Sequence, residues 1–231
     1  MRPRTTTSSG TYALHSLFKS GLLSDCTIKC KERTWKVHKF VLYEQSSFFK
    51  AALEGKFKEA GESLIDLSEE DDHIVDIMLR HMYGGLWDSW DDYEAVGWDD
   101  VGSIQLVQLC SIGCRLDIKN LAKLALDHLH WWRTCDELNI SNTKTMVQIA
   151  YLETANGSEL EQRLRNILVE HAVEEYRNVN QFFGIVQKDH ETFTSVRDDT
   201  QAREWVEELF GVSPAFAFDF ALKLFEQPRD E

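Results

Sequence analysis

Apolar residues three and four apart at Leu14, Leu17 and Phe18 predict a helix, with Gly21 as its stop. The period then changes to two. Cys26, Ile28 and Cys30 share one face, Lys31-Glu32-Arg33 makes a turn, and Trp35 and Val37 resume the alternation, so the two runs read as a hairpin. The apolar run Phe40-Val41-Leu42 leads into SSFFKAALEG, a short helix capped by Ser46 or Ser47 and ended at Gly55. Ser63-Leu64-Ile65-Asp66-Leu67 predicts another short strand. A helix over residues 71–82 follows, with Ile74, Ile77, Met78 and Met82 on one stripe, and closes at Tyr83-Gly84-Gly85.

Residues 86–100 break the pattern with six acidic residues, no basic ones, and Trp87, Trp90, Tyr93 and Trp98. This segment reads as an acidic, aromatic loop. Beyond it, Ile104, Val107, Ser111 and Cys114 mark one helix, and Leu121, Leu124, Ala125, His128, Leu129 and Trp132 mark another. The remaining pattern is helical throughout. Met146, Ile149 and Ala150 open it, and Ser158-x-x-Glu161 is a capping box before Leu160, Leu164, Ile167, His171 and Tyr176. Phe182, Phe183 and Val186 follow, then Trp205, Val206, Leu209 and Phe210 running to Gly211. Ser213 caps and Pro214 opens a last helix bearing Phe216, Phe220 and Leu224, stopped by Pro228. Residues 1–10, Ser/Thr-rich, read as a disordered tail. An early small sheet with helices segregated from it predicts an α+β fold followed by an all-α extension.

Composition sets the class. The chain has 231 residues, 43% hydrophobic and 28% charged, with 3 Pro and 12 Gly, which suits a helix-rich globular protein and excludes collagen-like or disordered chains. A net charge of −14 repels phosphate backbones and anionic lipid, so neither nucleic acid nor membrane is an expected partner. No apolar run approaches the roughly 20 residues of a membrane span. The segment MRPRTTTSSG lacks the apolar stretch of a secretory signal, so the expected compartment is cytoplasmic or nuclear. Five cysteines, an odd number, suit reduced thiols there.

The catalytic signatures are missing. GKFKEAGE lacks the spacing and trailing Lys-Ser/Thr of a phosphate loop, and neither a G-x-S-x-G elbow nor H-E-x-x-H occurs. Cys26/Cys30 and Cys110/Cys114, with His38, His128 and His130, invite a metal reading. Zinc knuckles are commonly tighter, however, and small thiols fill cores, so core packing is the reading and no metal or cofactor is expected. His38 has no credible nucleophile beside it and reads as a buried, hydrogen-bonded histidine. Trp131-Trp132 reads as core, since Trp132 continues its helix stripe. The acidic aromatic loop stays open between a solvated excursion and a docking segment carried by Trp87, Trp90, Tyr93 and Trp98.

The stretch from Ser20 to Gly85 resembles the BTB/POZ domain. Asp25 opens the first hairpin strand, Val37-His38-Lys39 precedes the apolar run with Leu42, and Ser46, Phe48 and Phe49 follow. Phe57-x-Glu59 forms a turn, and Tyr83-x-Gly85 ends a helix, all in the family's order and spacing. The resemblance covers about residues 11–132. The region 140–228, with LRNILVEHAVEEY and SPAFAFDFALKLF, looks like the helical extension of fungal BTB proteins. Two stretches depart from the family pattern: RPRTTTSSG has no counterpart of the exchanged strand, and Cys110-Ser111-Ile112-Gly113-Cys114-Arg115 replaces Ala-Asp-Lys-Tyr.

The resemblance implies a protein-interaction adaptor and no enzyme. It implies a homodimer contact on Leu14, Leu17 and Phe18, with Asp25 and Lys39 as a charged pair at that interface. It also implies docking to a cullin-type ubiquitin ligase scaffold through Phe57 and Glu59, while the helical region recruits a protein client. Phe57 has a second reading, in which it folds back onto the Phe48/Phe49 helix and Glu59 is solvated. An oligomerising or transcription-associated scaffold with no ligase role is the alternative function.

Overall fold

The computed structural model describes residues 9–54, 61–84, 101–134, 140–152, 157–186 and 199–226. They fall into two compact units, Met1–Ala125 and Leu126–Glu231.

In the first unit, α1 (Ser9–Ser20) begins inside the stretch expected to be a disordered tail. Its end needs a glycine twice over. Gly21 sits at φ +62° and donates its N–H to the Leu17 carbonyl at 2.9 Å, and a Cβ there would lie 3.1 Å from Lys36 Cβ. The hairpin forms as the alternation predicts, with β1 (Cys26–Cys30) antiparallel to β2 (Arg33–Val37) and Ile28 opposite Trp35. The turn is shorter than expected, since Arg33 is already strand and Lys31 takes the left-handed conformation at φ 51°.

Two helices follow: α2 (Lys39–Gln45), where the Phe40-Val41-Leu42 run is helical, and α3 (Ser47–Glu54). Ser46 caps α3 by accepting the Phe49 N–H at 3.1 Å. The strand β3 (Leu64–Asp66) pairs in parallel with β1, placing Ile65 beside Ile28, so the described sheet runs β2-β1-β3. Parallel pairing requires a crossover, and α2 and α3 lie within it.

The sheet's inner face, with Cys26, Ile28, Cys30, Trp35, Val37 and Ile65, is buried. So is most of α4 (Asp72–Met82), which Asp71 caps by accepting the His73 and Ile74 N–H groups. In α5 (Ser103–Arg115) the expected stripe is too narrow. Val107 and Ser111 are buried as read, and so are Leu106, Leu109, Cys110 and Ile112, while Ile104 and Cys114 are only half-buried. Crowding explains it: Gly113 lets α6 (Lys119–Thr134) approach so closely that a Cβ would sit 2.9 Å from the Ala122 backbone nitrogen. A helix pressed this tightly by neighbours is buried around more of its circumference than one apolar stripe.

The second unit holds the rest of α6, α7 (Thr143–Leu152), α8 (Glu159–Val186), α9 (Asp199–Val212) and α10 (Pro214–Glu226). The capping box exists as read: Ser158 Oγ accepts the Glu161 N–H at 3.1 Å, and Glu161 returns the bond to the Ser158 N–H at 3.1 Å. One helix, α8, absorbs Phe182, Phe183 and Val186, and α9 runs one residue past Gly211. Leu164, Leu168, Ala172, Phe216 and Phe220 supply this unit's core. Among the described residues no helix is long and apolar enough to cross a membrane.

Candidate docking surface

A fixed apolar surface requires a backbone that cannot yield beneath it. In the first unit that backbone is fastened by one buried histidine. Its Nε2 meets the Leu22 carbonyl at 2.8 Å; a carbonyl only accepts, so Nε2 carries the hydrogen. In the neutral ring Nδ1 is then an acceptor, and the Tyr83 hydroxyl, 2.8 Å away, donates to it while accepting the His38 backbone N–H at 2.7 Å. Burial pushes the Tyr83 phenol up to about 12, so it stays a donor across the physiological range. The expected hydrogen-bonded histidine is thus a clasp joining the α1–β1 connection, the start of α2 and the end of α4.

Around the clasp, apolar side chains face outward. Leu22 and Leu23 are 63% and 80% exposed, the latter at φ 62°, and Phe40 is 56% exposed. The Phe40 ring lies 6.0 Å from the His38 ring. On α1, Leu14, Leu17 and Phe18 are half-buried, and the Phe18 ring lies 4.8 Å from Tyr83. Asp25, exposed, accepts the Lys39 backbone N–H at 2.8 Å, which sets a carboxylate at the positive end of α2. Asp25 and Lys39 therefore meet within one chain through that backbone bond.

Phe18, Asp25 and Lys39 therefore lie at the clasp, while Leu14 and Leu17 are carried with Phe18 on α1. Leu22, Leu23 and Phe40 were missed, because a pattern reading assigns apolar residues to the core. The doublet directly after a glycine stop was the available signal. Phe57 and Glu59 lie outside the described residues, as do Trp87, Trp90, Tyr93 and Trp98.

Beside α1 runs a cleft of about 330 Å³ bordered by His15, Lys19, Lys36, Asp76 and Arg80. Asp76 is held there by three donors. It accepts Trp35 Nε1 at 2.8 Å and pairs with Arg80 at 2.7 Å and Arg33 at 3.3 Å, an arrangement that ties the sheet to α4. Cys26 and Cys30 are packing groups: burial pushes both thiols up, away from the reactive thiolate. Trp131 is 43% exposed, whereas Trp132 is half-buried along its stripe. Among the described residues no three His, Cys, Asp or Glu side chains gather to hold a metal.

Comparison with known proteins agrees with this geometry. Residues 14–131 match the family model of the BTB/POZ domain. One relative is Kelch-like protein 40b of Danio rerio, 29% identical over 70 residues, which cover 30% of this chain and 11% of that protein. The chain therefore corresponds to a small part of that relative's length. The family match spans just over half of the sequence, its bounds enclose the sheet, the clasp and α1 from Leu14 onward, and the chain belongs to the BTB/POZ domain family.

Proposed function

We propose that this protein is an interaction adaptor that self-associates through the surface around α1 and brings a client to a cullin-type ubiquitin ligase. The observation that supports it is the exposure of Leu22, Leu23 and Phe40 around the clasp, which also holds the end of α4 on which Phe18 packs. Apolar anchors ringed by polar groups are the arrangement that binding surfaces favour. In the dimer Asp25 and Lys39 face the partner copy. Phe57 and Glu59 contact the cullin, the helical region with the Trp87–Trp98 segment engages the client, and no reaction is catalysed.

Affinity purification from the native cell, scored for a cullin, tests the ligase link. Co-purification lost on Phe57→Ala with unchanged circular dichroism is expected, and retention in that variant removes Phe57 from the site. Light scattering of Leu17→Asp tests the surface, with the expected outcome a fall to monomer. A dimer broken by Leu17→Asp with no cullin in any purification supports the oligomerising or transcription-associated scaffold instead.

A further inference from the structure

The last helix is amphipathic in the wrong sense. Two of its charged residues, Asp219 and Lys223, bond within the second unit: Asp219 accepts the Tyr151 hydroxyl at 2.7 Å, and Lys223 pairs with Glu170 at 3.0 Å. Its core contacts are Phe216 and Phe220, packed on Tyr151 and Tyr176 with ring separations of 5.5 and 5.9 Å. The opposite side carries Ala215, Phe218, Leu222 and Phe225, with Phe218 64%, Leu222 47% and Phe225 83% exposed. Spaced three, four and three, these four positions form the seam of a helix that packs against another helix.

From this face we infer that α10 pairs with α10 of a second copy, antiparallel, as a self-association surface separate from the one around α1. Three properties select that occupant. The seam carries no charge, so it offers nothing to an acidic or basic segment, whereas a copy of itself presents an equally neutral surface. Antiparallel pairing about a two-fold axis sets Phe218 against Leu222 and Phe225 against Ala215, so each layer matches a large side chain with a smaller one. Parallel pairing would stack Phe225 on Phe225 and leave a void between two alanines. Antiparallel helices also bring the positive end of each macrodipole beside the negative end of the other.

Size sets the strength. The three large side chains expose roughly 350 Å² per copy, about half of what each partner gives to a standard interface. The pairing is consequently concentration-dependent rather than obligate.

Sedimentation velocity of the full chain over about two decades of concentration, in the native and the Leu17→Asp backgrounds, tests this. In both, Leu222→Glu should abolish one concentration-dependent step with circular dichroism unchanged. Mixing Phe218→Cys with Leu222→Cys copies should give more disulfide-linked dimer than either variant alone, measured above the unaltered protein's background. A mass distribution that Leu222→Glu leaves unchanged overturns the pairing and leaves the seam to a helix of a different protein. Equal cross-linking in mixed and single preparations overturns the antiparallel register. Failure of the surface around α1 alters only the Leu17→Asp comparison.

Discussion

The two units expose apolar side chains by opposite means. Around His38, the outward leucines sit on a connection held by bonds spanning 16 residues to Leu22 and 45 to Tyr83. On α10, the outward phenylalanines ride a regular helix whose position is set by its own buried face and two polar anchors. The first surface depends on a polar network that must be complete, because a buried unpaired group costs more than a made bond returns. The second depends on helix geometry, and any single anchor is expendable. Surface position is thus a cooperative property in one unit and a local one in the other.

The sharpest break in that comparison is Tyr83→Phe against Tyr151→Phe. The first leaves the His38 N–H and Nδ1 buried without a partner and should cost roughly 2–4 kcal/mol in urea unfolding. The second leaves Asp219, only half-buried, free to take up water, and should cost about 1 kcal/mol. Equal losses would mean that the clasp is no more cooperative than an ordinary tyrosine anchor.

Acid should distinguish the units next. Burial lowers the His81 imidazole from 6.5 to about 4, so the unfolded chain binds a proton at a pH where the folded one does not. Its contribution is full above pH 6.5 and is lost as pH falls toward about 4, by on the order of 3 kcal/mol in all. The unfolding free energy of the native chain in urea should therefore fall across that window by on the order of 3 kcal/mol more than that of His81→Leu. Parallel curves would show that this histidine does not govern the acid response.

The smallest effect is expected at the second unit's capping box. Ser158→Ala removes the acceptor of the Glu161 N–H and should cost about 1 kcal/mol, read as a shift in thermal midpoint. A larger loss would mean that α8 is as cooperatively held as the clasp.

How much of this was legible in sequence follows the same division. Periods of two and of three to four located the hairpin, β3 and the helices other than α2, whose Phe40-Val41-Leu42 run is too short to show a period, and Ser46, Ser158 and Ser213 were readable as caps because capping is decided within a few residues. The burial of His38 was legible from its setting, but not its partners, since Tyr83 is brought to it only by the fold. Of the stripe assigned to α5, Val107 and Ser111 are buried as read, while the wider burial was not legible because the approach of Ala122 to Gly113 is tertiary. On α10 the buried Phe216 and Phe220 were found, while the seam through Phe218, Leu222 and Phe225 passed unnoticed: a helix apolar on two sides satisfies a core pattern with either.

Two neighbouring hydroxyls carry a consequence for the order in which the first unit is completed. Ser46 donates to the Leu116 carbonyl and Ser47 to the Asp117 carboxylate, each at 2.5 Å and each across 70 positions. During synthesis neither serine finds its acceptor until the residues just past α5 have been made, so a nascent chain holds α3 with one side unlatched while a further 70 residues, under a third of the protein, are translated. Closure of the first unit on that side waits on contacts distant in sequence, which slow folding.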